Sequence, residues 1–444
     1  MKKPNIVLIF SDQQHWHAMG FLDDYFESPN LDEFSKESTV FSQAYCSTPQ
    51  CSPSRSTLLT GYFPSKTGTI GNIGNAGGND LQMDTIGKIL QEAGYYTGYF
   101  GKWHLGKDDN GCDGWDEKLF IRGDWVATFK AKRFLKHLKK NKPENKPFAL
   151  VFSTINPHDI YRWRENRLWF KDTDEIPLPE SWHHPNYAEK PAVQKKFLTE
   201  DQGKQLHQKS KKQWKRYRDQ YKKCVKKYDK KVGKILDRLK KIGEYDNSVI
   251  FITSDHGDMD AHNRQLFKGP FMYDHLMRIP LMVRVPKKFG GVTDQRTEND
   301  VMTVNTDIVP TILDFAGVEH PRKENCHGKS LYPHLVEDSE KQAVSELDDG
   351  EEFVVCQYYS KQKWVNPIRT IRTREWKYNK YLHGEEELYD MKNDPDEIHN
   401  LASDPQYEQE KAHLREKLYA WIEEHEDPFF EQTVTDRKGR VLKS

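Results

Sequence analysis

Cys51, Pro53 and Arg55 sit within one turn of the segment Cys51-Ser52-Pro53-Ser54-Arg55-Ser56-Thr57-Leu58-Leu59-Thr60-Gly61, which joins a potential nucleophile to an obligate cation and a helix start. Proline is tolerated in the first turn of a helix, where its missing N–H is no loss, and Ser52 or Ser54 would cap the free amides there. The segment therefore predicts a helix that begins at the cysteine. Free N–H groups, the positive dipole end and Arg55, which no ordinary pH deprotonates, make that point a site for an oxyanion. From its surroundings alone, Cys51 reads either as a small buried residue at a helix start or as a thiolate nucleophile whose pKa those surroundings lower.

Asp12 and Asp255 form a second constellation. Each follows a continuous apolar run, Asn5-Ile6-Val7-Leu8-Ile9-Phe10 and Asn247-Ser248-Val249-Ile250-Phe251-Ile252-Thr253, as expected of central parallel strands covered on both faces. A single strand-end Asp is usually a cap or turn residue. Two that converge on one sheet edge, beside the Cys51 helix, suggest a divalent cation, and hard oxygen donors suit Ca²⁺ or Mg²⁺.

The elements that must position these groups alternate. Helical spacing over Leu31 to Glu37 and Thr85 to Ala93, and strands at Tyr96 to Phe100 and Phe148 to Thr154, make the class α/β. The last two strands deliver Gly101-Lys102-Trp103-His104 and Asn156-Pro157-His158 to their carboxyl ends, where open α/β sheets bind ligands. Residues 159 to about 205 lack clean periodicity and read as a long loop or lid. Gln213 to Ile242 carries apolar residues at three- and four-residue spacing among Lys and Arg, an amphipathic helix with a basic, solvated face. A further strand is expected within Arg278 to Val283 and a glycine-ended helix over Val304 to Gly317. After the acidic break at 346–350, strand-like pieces without intervening helices (Phe353 to Tyr359, Ile368 to Arg372, Trp376 to Leu382) predict an antiparallel sheet, followed by a helix over Gln406 to His425. The expected architecture is a large, mostly parallel sheet flanked by helices over residues 1–345, with a smaller C-terminal α+β subdomain, an antiparallel sheet plus a helix, over 346–444.

The 444 residues carry 68 Lys plus Arg against 68 Asp plus Glu, so no global charge favours nucleic acid, which is not expected as a partner. Six scattered cysteines without CxxC pairs read as free thiols. No segment offers the ~20 apolar residues that span a bilayer, so no membrane partner is expected. The basic start and apolar run of residues 2–10 are too short for a signal peptide and lack a small-residue cleavage site. The chain as given is expected in the cytoplasm, or in the periplasm or secreted if an export signal was trimmed. Oligomeric state is not legible.

The Cys51 segment, Cys-x-Pro-Ser-Arg followed by Ser-Thr-Leu-Leu-Thr-Gly, closely resembles the signature of the type I sulfatases, a branch of the alkaline phosphatase superfamily. In that family the cysteine is oxidised after translation to formylglycine (3-oxoalanine) by a formylglycine-generating maturation enzyme. The resemblance extends over most of the chain, through Gly101-Lys102-Trp103-His104-Leu105-Gly106, Asn156-Pro157-His158, Ser254-Asp255-His256-Gly257-Asp258, Phe267-Lys268-Gly269-Pro270 and the late Glu387-Leu388-Tyr389-Asp390. It implies one divalent metal, Ca²⁺ in preference to Mg²⁺, held by Asp12, Gln13, residue 51, Asp255 and His256. Gln13 stands where the family more often has a second Asp, and Gln14 is an alternative ligand. It also implies catalytic roles for Cys51, Arg55, Lys102, His104, His158 and Lys268. One hydroxyl of the hydrated aldehyde attacks sulfur and expels the alcohol, and the second then ejects sulfate. His158 or Lys268 protonates the alcohol, and His104 takes the proton from the second hydroxyl.

A sulfated carbohydrate, probed at its terminal sugar as in a glycosaminoglycan fragment, is the expected substrate. Tyr161, Arg162, Trp163, Arg164, Arg167 and Trp182 in the lid stretch, with His262, Asn263 and Arg264, offer aromatic faces and fixed cations to sugars that bear carboxylates; Arg162, Arg164, His262 and Arg264 are the candidate binding residues. Competing readings are a phosphonate or phosphate ester hydrolase of the same superfamily, a thiol hydrolase using Cys51 with His104, and a catalytically silent sulfated-sugar-binding protein.

Overall fold

The computed structural model describes residues 3–107, 113–121, 123–141, 146–164, 175–291, 295–321, 327–337 and 352–442. In chain order the strands are β1 (Asn5–Asp12), β2 (Thr39–Phe41), β3 (Ala44–Tyr45), β4 (Tyr96–Gly101), β5 (Glu117–Phe120), β6 (Phe148–Pro157), β7 (Ser248–Ser254), β8 (Leu281–Arg284), β9 (Thr297–Asn299) and β10 (Thr303–Val304). The C-terminal part adds β11 (Phe353–Lys361), β12 (Trp364–Thr373), β13 (Trp376–Tyr381) and β14 (Glu386–Asp390). An eight-stranded sheet runs in the order β5-β4-β6-β1-β7-β8-β2-β9, and a four-stranded sheet in the order β11-β12-β13-β14.

The apolar run of β1 makes it central. Ile6, Leu8 and Phe10 enter the core on one face and Val7 and Ile9 the core on the other, which is why the run does not alternate with polar residues. β1 pairs in parallel with both β6 and β7, and β4 in parallel with β6 and β5. The carboxyl ends of β4, β6, β1 and β7 therefore share one edge. β8 and β2 break the pattern by pairing antiparallel with each other, and β8 does so with β7 as well. The class is α/β with a mixed, mostly parallel sheet, and all strands of the C-terminal sheet pair antiparallel.

The long amphipathic helix spans Lys211–Lys241 and buries Trp214, Tyr217, Tyr221, Val225, Tyr228, Val232, Ile235, Leu236 and Leu239, as its spacing predicts. Its first turn is closed by Ser210, whose N–H donates to Gln213 Oε1 (3.2 Å). The stretch from 159 to 205 departs from the loop reading. A 3₁₀ turn over His158–Arg162 and helices over Glu180–His183 and Ala192–Glu200 occupy its described part, and Phe197 and Leu198 are core residues. Trp163 and Trp182 are also buried in that core rather than offered to a ligand; Arg167 lies outside the described residues, as does the boundary expected near 345. Cys46, Cys51, Cys224 and Cys356 are free and buried, and Cys112 and Cys326 are outside the described residues. Among the described residues no helix is long and apolar enough to cross a membrane.

Candidate active site

The helix of the signature segment spans Cys51–Thr60, and Gly61 ends it in the left-handed conformation at φ 80°. It starts at the cysteine as expected, but its serines do not cap it. Ser52 Oγ instead accepts from the Ile73 N–H (3.1 Å), and Ser54 Oγ donates to the Asp255 carbonyl. The free Ser52 N–H is met by Asn72 Oδ1 at 2.9 Å, from a loop twenty positions on. Ser54 is thereby the strut that fixes the helix against the end of β7, and Asn305 Nδ2 supports it at 2.8 Å.

Arg55 points from that helix into the gap between β1 and β7 and is fully buried. Its Nε donates to Asp255 Oδ2 (2.8 Å), its second nitrogen lies 3.5 Å from Asp12 Oδ2, and Nη1 donates to the Lys102 carbonyl and to Ser153 Oγ, each at 2.7 Å. The Phe10 ring packs 5.0 Å below the guanidinium. Lys102 reaches the Asp12 carboxylate directly. Burial and the neighbouring Cys51 push the Asp12 carboxyl up, but Lys102, His158 and Arg55 outweigh them and hold it below the usual range. Burial, with Asp12 alongside, pushes Asp255 up.

Cys51 is the centre of the cluster. Its Sγ lies 2.9 Å from Lys268 Nζ, 3.3 Å from His256 Nε2 and 3.5 Å from Asp12 Oδ1. The sulfur marks the place that the oxygens of an oxidised residue 51 would take. Burial alone would raise this thiol, yet Lys102, Lys268, His256 and a hydrogen bond with His104 bring it well below its ordinary value. Anionic character is thus favoured at this point.

One ligand atom from each of Asp12, Cys51, Asp255 and His256 lies within 4.8 Å of all the others. Gln13, the further ligand expected from the sequence, lies beside this group. Its backbone takes a positive φ of 78°, Asp258 Oδ2 accepts from its Nε2 at 2.6 Å, and its Oε1 is left to face Lys268 Nζ at 3.0 Å. Gln14 does not compete, because Ser11 Oγ and the Ala18 carbonyl hold its amide at 3.1 and 2.7 Å. With His256 Nδ1 2.8 Å from the Gly257 carbonyl, the proton belongs on Nδ1 and the Nε2 lone pair faces the cluster. Two carboxylates, an amide oxygen and one imidazole around residue 51 are a donor set that fits a divalent cation.

His104 and His158 are the partly exposed members of the site, and Lys102 and Lys268 are buried. Burial, partly offset by the hydrogen bond to Cys51, pushes His104 down to about 4, so its imidazole is neutral. Tyr161 stacks on Phe267 at 4.1 Å and lies 4.7 Å from the His158 ring. Of the candidate sugar-binding residues, Arg162 and Arg164 are exposed on the turn after β6, and Arg164 donates to the Gln205 carbonyl at 2.7 Å. His262 and Arg264 are not in the catalytic cluster. Arg264 donates to the Trp182 carbonyl (2.7 Å) and covers its ring, while His262 pairs with Asp396 (3.2 Å).

Four supporting residues escape the sequence reading. Asp258 fixes Gln13, Ser153 fixes Arg55, Asn72 caps the Cys51 helix, and Lys361 of β11 donates to the Lys268 carbonyl at 2.8 Å. Asp258 and Ser153 lie at strand ends already marked as the ligand edge, a signal that was available; Asn72 and Lys361 have no local signature.

Comparison with known proteins fits this geometry. The sulfatase family model matches residues 4–318, and a model of the N-sulphoglucosamine sulphohydrolase C-terminal region matches residues 262–424. An N-acetylglucosamine-6-O-sulfatase of Bacteroides thetaiotaomicron is 28% identical, the match covering 99% of this chain and 90% of the relative. A delta 4,5-hexuronate-2-O-sulfatase of the same organism is 27% identical over 96% of this chain and 90% of its own length. The solved structure of a 2-O GAG sulfatase superposes with a TM-score of 0.84 at 26% identity, covering 99% of this chain and 96% of that one. With the signature helix, the buried Arg55 and the strand-end carboxylates all in place, the chain belongs to the sulfatase family and is a sulfuric ester hydrolase.

Proposed function

We propose that this sulfatase removes a sulfate ester from the terminal sugar of a short sulfated saccharide, using formylglycine at position 51 and one Ca²⁺ ion at Asp12, Gln13, Asp255 and His256. The observation that carries the reading is the convergence of Asp12, His256 and Lys268, all buried, on the side chain of residue 51 at the carboxyl edge of the sheet. The donors are mostly oxygens, which suit Ca²⁺ with its flexible coordination geometry. When present, the aldehyde supplies the hydrated nucleophile, and the cation supplies charge for the sulfuryl oxygens.

The chain's own residues account for the rest. A sulfate ester repels an incoming anion, and Arg55, Lys102 and Lys268 set fixed positive charge around the reacting group in a water-poor site. Arg55 also holds the two carboxylates apart on either side of its guanidinium. His104, neutral and hydrogen-bonded to position 51, is placed to accept a proton there. His158, partly exposed beside Tyr161, is placed to deliver one to the departing alcohol. Burial of the sulfate-binding groups favours a chain end over an internal sugar, and the carbohydrate sulfatases among the relatives support a sugar substrate.

The test is a screen of enzyme matured by a formylglycine-generating enzyme against defined sulfated mono- and disaccharides, with an aryl sulfate and an aryl phosphonate as controls. Sulfate release from a terminal uronate or hexosamine is expected, at a rate exceeding phosphonate turnover. Brisk aryl sulfate turnover with no release from any sugar would overturn the substrate class, and faster phosphonate turnover would favour the ester hydrolase alternative.

A further inference from the structure

A second cluster of metal-binding side chains lies outside the catalytic cluster. One ligand atom each from His262, His275 and Asp396 falls within 4.8 Å of the other two. The His262 and His275 rings are stacked with centroids 3.4 Å apart and planes at 26°, and His262 Nδ1 lies 3.2 Å from Asp396 Oδ1. His15 and His17 close the group, their rings 5.9 and 6.0 Å from that of His275.

A simple His262 to Asp396 hydrogen bond does not account for this arrangement. His275 is 7% exposed, and its Nδ1 has no hydrogen-bond partner among the described residues; His15 is 1% exposed, its Nδ1 likewise has none, and its Nε2 lies 3.6 Å from Asp260 Oδ2, beyond hydrogen-bond distance. Buried polar atoms of this kind are costly unless something satisfies them. Four imidazoles and a carboxylate are also an unusual concentration of one ligand chemistry.

We propose that His262, His275 and Asp396, with His15 or His17 as a fourth ligand, form a second metal site that takes a borderline transition-metal cation of the Zn²⁺ class. Imidazole nitrogens with a single carboxylate select Zn²⁺ over Ca²⁺ or Mg²⁺, the reverse of the oxygen-rich catalytic set. The site clamps three segments together. His15 and His17 follow Asp12 and Gln13, His262 and His275 follow Asp255 and His256, and Asp396 comes from the C-terminal subdomain. Contact between the two sites is direct: Gly257, next to His256, lies so close to His275 that a Cβ there would meet its carbonyl oxygen at 1.9 Å, and the Gly257 N–H donates to the Leu276 carbonyl at 2.7 Å. A cation here braces both loops that carry the catalytic ligands.

The test uses the full chain, stripped with chelator and reloaded with Zn²⁺ or Co²⁺ in excess Ca²⁺, and compares it with Asp12→Asn/Asp255→Asn, His262→Gln/His275→Gln and Asp396→Asn. Elemental analysis after gel filtration is expected to find one equivalent of Zn²⁺ in the wild type and in the active-site variant. Co²⁺ is expected to give the strong visible bands of a four-coordinate site in the same two proteins. The double histidine variant loses both signals, and Asp396→Asn, at a half-buried position that tolerates the change, weakens retention at least tenfold. Zn²⁺ raises the melting temperature of the wild type and not that of the histidine variant, whose metal-free circular dichroism shows whether it folds. Failure of the wild type to retain Zn²⁺, or equal retention by the Asp396→Asn protein, overturns the proposal.

Discussion

Arg55 is the residue on which the charge balance of the active site turns. It is fully buried between Asp12 and Asp255, and two carboxylates so close in a low-dielectric interior require a compensating cation. Arg55→Met keeps the bulk of the side chain and removes its charge. The expected loss of stability is about 3–5 kcal/mol, as when one partner of a buried ion pair is deleted. Chemical denaturation with and without Ca²⁺ checks it: added Ca²⁺ should recover part of the loss, because it supplies charge to the same carboxylates, and a loss below about 1 kcal/mol would show that the pairing is dispensable. Cys51→Ala separates chemistry from fold at the neighbouring position. The side chain is small and makes no core contact that alanine cannot keep, so the melting temperature should hardly move while sulfate ester turnover disappears; the intact mass of the residue 51 peptide in matured wild type should show the oxidation. Full activity in the alanine protein would sink the mechanism.

Asn72 shows what a helix needs that its own sequence does not carry. The Ser52 N–H is the amide that Asn72 Oδ1 meets, and loss of a side-chain cap costs about 1 kcal/mol. Asn72→Ala should lower stability by that amount and depress kcat more than it changes KM, because the helix start carries residue 51; unchanged kinetics with unchanged stability would show that water replaces the cap without consequence. The same contrast explains what was legible in the sequence. β1, β6 and β7 carry continuous apolar runs with polar ends, and β4 is rich in aromatic and β-branched residues, so the ligand edge and the residues on it could be read directly. The 211–241 helix was legible from nine buried positions at helical spacing. The cap was not, since a contact made through tertiary folding leaves no mark beside Ser52, where local serines look sufficient. The Asp124–Asn141 helix went unread because small Ala127 and Ala131 hold two of its buried positions while Trp125 and Phe129 are exposed at 71% and 53%, which blurs the apolar stripe. Between 159 and 205 the helical segments are too short, and too often preceded by proline, for a period to emerge.

At the scale of the whole molecule, the C-terminal sheet is part of the catalytic architecture rather than an appendage. Ser360 accepts from Gln50, the residue before Cys51, the Gln357 N–H donates to the Ser47 carbonyl, and Arg372 and Lys377 reach Asp274 at 3.4 and 3.8 Å. Lys361 makes the most consequential contact, donating to the Lys268 carbonyl and to Gln202 Oε1, each at 2.8 Å, with its ammonium 4.5 Å over the Phe197 ring. Burial pushes this ammonium down to about 7; Asp201 opposes that shift, while Lys268 and Arg437 add to it. An unfolded lysine titrates at about 10.4, so between these values the unfolded chain binds more protons than the folded one and stability rises with pH. Below about pH 7 both states are charged and the folded state carries the full burial cost. Lys361→Met removes this contribution, and it should therefore stabilise the protein at pH 6 by about 1–2 kcal/mol, a figure reduced for partial exposure. The gain should shrink as pH approaches 10. Denaturant midpoints of both proteins at pH 6, 8 and 9 give the result: converging curves place Lys361 as a lysine forced into the joint between the two sheets, whereas parallel curves would mean that its charge is solvated and that the joint is held by the remaining contacts alone.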